Sequence, residues 1–347
     1  MSILMSVYNG EEFVSKAMES ILSQTFEDFE LIVVDDGSRD GTAKALDEYR
    51  DDRIVRIDHE QNQGLAASLN HGLRKARGEF IARQDADDIS MPNRLQEEVA
   101  LLSRETGTVI VGSTCEEIDE FGNVVRMWRY PLNDIDIRWH TLFHCSFVHS
   151  SVMFRASVLQ ANALSYDENE VYAQDYELWS RFLAYGSAFN IREPLVRYRT
   201  HCRQISQRSL GAQSESRDRI SRTNLEKRGM AEGVSDEDLG VLRKWVMRGP
   251  RLTDAREMRL ARLLLRILVQ FSRCSDVDPI AAKELRRAWV ERLLDAASAR
   301  QTPALVTSGL LSDVLWRDCV SVLAHGSTRA ARRVRRTFSR RRGLADN

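Results

Sequence analysis

The sequence predicts an α/β fold with a mostly parallel central sheet, followed by a helical C-terminal region. Three observations carry this. Short apolar runs, ILMSVY at 3–8, FELIVVD at 29–35, RIVRID at 53–58, GEFIARQD at 78–85 and TVIVG at 108–112, recur through the first 120 residues. Between them lie segments with helical spacing, NGEEFVSKAMESILSQ, DGTAKALDEYRD and GLAASLNHGLRKA. Apolar runs of that length alternating with helices fit a sheet buried on both faces by its crossovers. Beyond residue 206 no strand pattern appears, and helical stretches are punctuated by Gly249–Pro250, Pro279, Pro303 and Gly326.

The predicted organisation is one domain over 1–208, a helical region over 209–330 and an Arg-rich tail over 331–347. In 251–273, Arg256, Arg259, Arg262 and Arg266 fall on one side of a helix, while Leu260, Leu263, Leu264, Ile267, Leu268 and Phe271 fall on the other. That pattern reads as a packed helix with a solvated basic face. Residues 125–205 are mixed and aromatic, and they carry His140, His144, His149 and His201.

Charge is unevenly spread along the 347 residues. The net charge is −1, but 326–347 holds eight Arg and one acid, leaving 42 basic against 50 acidic side chains elsewhere. A basic tail on an acidic body suggests an anionic surface as its partner. The five cysteines are scattered without a C-x-x-C pair, which fits reduced thiols. No uninterrupted apolar run reaches 18 residues, and the N-terminus lacks the basic segment of a secretory signal. The expected location is therefore cytoplasmic, with peripheral attachment at the inner membrane face through the tail. Nothing base-reading accompanies the tail, so no nucleic-acid partner is expected.

Two acidic clusters sit where strands end: Asp35–Asp36, and Asp85, Asp87 and Asp88 in QDADD. In open α/β sheets the crevice outside the carboxyl ends of the strands binds ligands. A D-x-D pair there suits an oxygen-ligated Mg²⁺ or Mn²⁺, and such ions commonly share their coordination with substrate phosphates. Each cluster can also be an ordinary acidic turn capping a helix. A phospho-receiver arrangement is excluded by the absence of any Lys between Lys75 and Lys227, and neither G-x-G-x-x-G nor a P-loop is present. His140, His144 and Cys145 form no convincing zinc set. Trp128, Trp139 and Trp179 read as core.

Taken in order, SVYNGEEF, SILSQTFEDFELIVVDDGSRDGT, NQGLAASLNHGLRKARGEFIARQDADDISMPNRL, FVHSSVMFRASVL and QDYELWSRF resemble the inverting nucleotide-sugar transferases of glycosyltransferase family 2. The five blocks cover about residues 1–205. The resemblance implies a GT-A fold, nucleotide binding by about 1–120 and acceptor binding by about 121–208. It implies that Ser6 contacts the nucleotide, that Asp36 accepts a hydrogen bond from the base, and that Asp85 reaches the ribose. It implies that Asp87 binds the metal, Mn²⁺ or Mg²⁺, with His201 nearby, and that Asp175 is the catalytic base. The donor is expected to be a UDP-sugar and the acceptor a growing glycan or lipid-linked saccharide. A silent nucleotide-sugar-binding module of the same fold is the alternative, which the presence of both Asp87 and Asp175 disfavours. Two positions depart from the family pattern: Gln174 replaces the Glu that often precedes the base, and Leu69 replaces the Arg before Asn70.

Overall fold

The computed structural model describes residues 1–202, 204 and 210–297. The tail, and the part of the helical region beyond 297, lie outside the described residues. The chain divides into one compact unit of 1–141 with 145–220, and a second that comprises 142–144 and the residues from 221 on.

In the first unit, strands β1 (Ser2–Val7), β2 (Glu30–Asp35), β3 (Ile54–Asp58) and β4 (Phe80–Asp85) coincide with the first four predicted apolar runs. They pair in parallel in the order β3-β2-β1-β4. Helices α1 (Val14–Leu22), α2 (Thr42–Asp47) and α3 (Leu65–Lys75) are the crossovers between them. The sheet continues through the fifth predicted run, TVIVG, which opens a longer strand, and through segments that the sequence leaves undefined. It runs from β4 through β8 (Met153–Arg155), β6 (Thr108–Ile118) and β9 (Ser187–Arg199) to the two-residue β5 (Ile89–Ser90), while β7 (Val124–Trp128) pairs with β6 as a hairpin.

Alternate residues of β1 feed two separate cores. Ile3, Met5 and Val7 pack with Ala17, Met18 and Ile21 of α1 and with Leu95 and Leu102 of α4 (Arg94–Arg104). Leu4 packs on the opposite face with Leu69 of α3 and with Trp179 and Phe182 of α7 (Gln174–Phe182). Both faces are thus covered, which is why the strands read as continuous apolar runs. Close approach of α3 depends on Gly72, where a Cβ would lie 2.2 Å from Leu4 Cδ1. Trp139 and Trp179 are buried, as expected for core side chains.

The first unit also buries charge. The Arg94–Glu98 pair of α4 is fully buried at 3.1 Å, and Glu98 Oε2 has no hydrogen-bond partner among the described residues. Burial pushes the Glu98 carboxyl up to about 7 despite Arg94. Between about pH 4.5 and 7 this carboxyl keeps its proton in the fold and loses it in the unfolded chain. Its contribution to stability therefore falls as pH rises through that window, by about 3 kcal/mol in total. Glu98→Gln cannot ionise, so the variant should gain on the wild type between pH 4.5 and 8. Urea melts of both proteins at the two pH values check this, and an unchanged difference refutes it.

The second unit is helical in its described part. The helices Asp236–Arg248, Ala255–Phe271 and Pro279–Ala296 start at side-chain caps from Ser235, Asp254 and Asp278. In Ala255–Phe271 the leucine stripe is buried, and Arg256 and Arg259 pair with Glu237 and Asp238 on the other side. No helix among the described residues is long and apolar enough to cross a membrane.

Candidate active site

The carboxyl ends of β1, β2 and β4 place the predicted residues side by side. Parallel register sets Ser6 opposite Val34 and Asp85, and Asp36 follows β2 directly. The Ser6 hydroxyl has no hydrogen-bond partner among the described residues.

Asp36 is buried and already employed. Its Oδ1 accepts from Gln63 N and from His59 Nδ1, and its Oδ2 accepts from Gly64 N, each at 2.9 Å. A carboxylate has about four acceptor sites, so one remains on Oδ2. His59 in turn meets His71 Nδ1 at 2.9 Å through Nε2. Asp36 therefore fixes the turn leading into α3 and keeps room for one further donor. Nothing in the sequence pointed to His59, because its partner lies 23 positions away.

The acidic turn after β4 holds its three carboxylates in three different environments. Asp85 Oδ1 pairs with the buried Arg83 guanidinium, and its Oδ2 lies 2.6 Å from Ser150 Oγ. Burial opposes ionisation of Asp85, but the Arg83 charge, followed by His149 and the Ser150 hydroxyl, holds its pKa below the usual range. Asp88 is fully buried; its Oδ1 accepts from Arg199 N at 2.7 Å and its Oδ2 meets the same Ser150 hydroxyl. Burial, then the charges of Asp87 and Asp85, push Asp88 well above the carboxylate range. One hydroxyl hydrogen cannot satisfy two ionised carboxylates. A protonated Asp88 donating to Ser150, which donates to Asp85, resolves the contact.

Two of the three charges are thus answered by the protein itself. The turn's backbone is held as well. Gln84, fully buried, donates from Nε2 to Asp85 O and Asp88 O at 3.0 Å, and its Oε1 accepts from Ser90 Oγ and Arg94. Arg199 Nε donates to Asp87 O at 2.8 Å.

Asp87 remains for a ligand. Its Oδ2 lies 3.0 Å from His201 Nε2 and 3.2 Å from Gln204 Nε2. His201 is itself steadied by the Phe13 ring, 4.8 Å between centroids. No cluster of three or more His, Cys, Asp or Glu side chains suited to a metal occurs among the described residues. One carboxylate and one imidazole fit a Mn²⁺ or Mg²⁺ ion only where substrate phosphates and water complete the shell, the usual habit of these ions in nucleotide sites.

Asp175 stands in the first turn of α7, where the helix dipole favours a carboxylate. Its Oδ2 lies 3.7 Å from Cys145 Sγ, and burial followed by the Asp175 charge drives that thiol far above its ordinary pKa. The neighbouring Gln174 is buried, with Oε1 unpartnered among the described residues. Asp85 and Asp175 both act electrostatically on His149 and Tyr166, so the two acids flank one neighbourhood. Ser6, Asp36, Asp85, Asp87 and His201 thus gather along the strand ends, with Asp175 approaching from α7. Of the residues the sequence did not single out, Arg83 acts on the acidic turn from two positions away on β4, whereas Ser150, Arg199 and Gln204 reach it across distances of sequence that no local pattern encodes.

A family model for "Glycosyl transferase family 2" matches residues 2–161. An uncharacterized glycosyltransferase of Haemophilus influenzae is 34% identical over 234 residues, covering 65% of this chain and 72% of that protein. The amylovoran biosynthesis glycosyltransferase AmsE of Erwinia amylovora is 31% identical over 212 residues, covering 60% of this chain and 79% of that protein. Among solved structures, S. aureus TarS 1-349 in complex with UDP-GlcNAc superposes with a TM-score of 0.54 at 17% identity, covering 94% of this chain and 92% of that chain, which shows a shared GT-A fold. With the strand-end site in place and relatives of this likeness along most of their length, the chain belongs to glycosyltransferase family 2.

Proposed function

We propose that the protein is an inverting, metal-dependent transferase that moves a sugar from a UDP-sugar to an acceptor hydroxyl of a growing cell-surface glycan or lipid-linked saccharide. The observation that carries the reading is the convergence of Asp85, the Asp87–His201 pair and Asp175 on the open ends of the strands. Ser6, Asp36 and Asp85 hold the nucleoside. A divalent ion at Asp87 and His201 would supply Lewis-acid stabilisation to the departing diphosphate. Asp175 takes the acceptor proton as the hydroxyl attacks the anomeric carbon. One base and one displacement invert that carbon.

Support for the donor and acceptor classes is chemical and comparative. The site has a single metal-ligating pair and so calls for a phosphate-bearing ligand. TarS was crystallised with UDP-GlcNAc, and AmsE is named for polysaccharide biosynthesis. The test is nucleotide release from a panel of UDP- and GDP-sugars with a lipid-linked acceptor, with and without EDTA, followed by NMR assignment of the product anomer. A retained anomeric configuration, or full activity in EDTA, overturns the corresponding part of the reading.

The working place proposed is the cytoplasmic membrane face. The tail STRAARRVRRTFSRRR carries eight Arg with Val334 and Phe338 among them. Each basic residue near an anionic leaflet gains about 1 kcal/mol. Chain ending at residue 326 should lose co-sedimentation with anionic vesicles. Binding of the full chain should weaken with salt, because exposed charges are screened beyond roughly 10 Å at 0.1 M. Equal sedimentation of both chains removes the tail as anchor.

A further inference from the structure

His149 has no part in the chemistry above, yet the fold prepares it with care. It opens the short 3₁₀ turn His149–Ser151, whose next residue is the Ser150 that bridges Asp85 and Asp88. Its ring meets Tyr166 and Trp179 edge-on, at centroid distances of 5.7 and 6.3 Å. Its Nε2 lies 3.0 Å from Tyr166 Oη.

The direction of that hydrogen bond follows from Arg83. The Arg83 guanidinium lies against the Tyr166 phenol. A guanidinium has only hydrogens to offer, so it is met by the phenol's lone pairs. Among the described residues His149 Nε2 is the one acceptor that meets the phenol oxygen, so the phenol's own hydrogen goes to it and Nε2 accepts. The remaining ring hydrogen belongs on Nδ1. Burial, then the Arg83 charge, pulls the His149 pKa down to about 4, so the ring is neutral near pH 7. Nδ1 has no partner among the described residues, and the residue keeps part of its surface exposed. A locked, neutral N–H donor therefore sits in the neighbourhood shared by Asp85 and Asp175, without a protein group to receive its hydrogen.

We propose that His149 is a sugar-binding residue of the transfer site, donating Nδ1–H to an oxygen of the sugar that lies between Asp85 and Asp175. The inference rests on the nucleotide-sugar reading above. A neutral donor is suited there, since an imidazolium would compete with the metal for the diphosphate and would pair with Asp175.

The experiment compares His149→Phe, which keeps the ring and loses the donor, with His149→Asn, whose amide nitrogen lies close to the Nδ1 position. Affinities for UDP and for the UDP-sugars of the panel are measured by calorimetry, and steady-state constants by nucleotide release. In His149→Phe, UDP affinity should stay within about twofold, while kcat/KM falls about tenfold or more, the scale of one lost hydrogen bond. His149→Asn should recover most of the loss. A rise in donor KM with slower acceptor-free hydrolysis assigns the oxygen to the donor sugar, and a rise in acceptor KM alone assigns it to the acceptor; either supports the proposal. Transfer by His149→Phe within twofold of wild type overturns it. So does a parallel loss of UDP affinity and melting temperature that His149→Asn does not rescue, which marks a structural residue. Wild-type protein that binds no member of the panel instead defeats the nucleotide-sugar reading, and this inference with it.

Discussion

Asp87→Ala is expected to abolish metal-dependent turnover, by about a thousandfold or more, while the thermal transition stays within a few degrees of wild type. Asp85 is neutralised by Arg83, and Asp88 is buried under Ser150 and Arg199. Asp87 instead presents its carboxylate to His201 and to Gln204. Losing a Lewis-acid contact to a leaving diphosphate removes several kcal/mol of transition-state stabilisation, and each 1.36 kcal/mol is about tenfold in rate. The fold loses little, because the turn's backbone hangs on Gln84 and on the Arg199 side chain rather than on the Asp87 carboxylate. Nucleotide release with added Mn²⁺, alongside a melting curve, checks both halves. Activity near wild type would remove Asp87 from the metal site. A collapsed fold would make it a structural residue.

Asp175→Asn is expected to keep UDP-sugar affinity within a few-fold and to lose transfer by about 10²–10⁴-fold, the usual contribution of a positioned general base. The amide preserves the size of the side chain beside Cys145 and cannot take the acceptor proton. Asp175 is carried by α7, whereas the residues proposed to hold the nucleoside, Ser6, Asp36 and Asp85, are carried by the strand ends, so binding and chemistry should separate. Calorimetric titration with the donor, followed by single-turnover transfer, distinguishes them. If transfer persists at near wild-type rate, another group is the base. If donor affinity falls with the rate, the residue holds the donor.

The legible part of this protein lies in its first 120 residues. Six-residue stretches such as SILMSV and ELIVVD are apolar on both faces, and only a strand buried on both sides tolerates that composition. The acidic turns were equally visible, because capping and chelation both select Asp at strand ends. The region 125–205 was opaque for a corresponding reason. In β9, exposed, half-buried and buried positions follow one another without a regular period, and β7 is exposed along most of its length. Neither shows the periodicity that marks a strand from sequence alone.

By itself, then, the sequence determined the parallel βα framework, the order of the family blocks and the candidate acids, since each depends on local composition and spacing. Tertiary structure decided which acid does what. Asp85, Asp87 and Asp88 lie within four residues and are chemically identical in the unfolded chain. Beyond the neighbouring Arg83 that pairs with Asp85, they are separated by what the fold brings to them: Ser150 from 65 positions away to the first, His201 from 114 positions away to the second, and Ser150 and the Arg199 backbone to the third. Protonation and ligation depend on burial and on neighbouring charge, which arise from contacts between distant segments, and no local pattern of residues contains them.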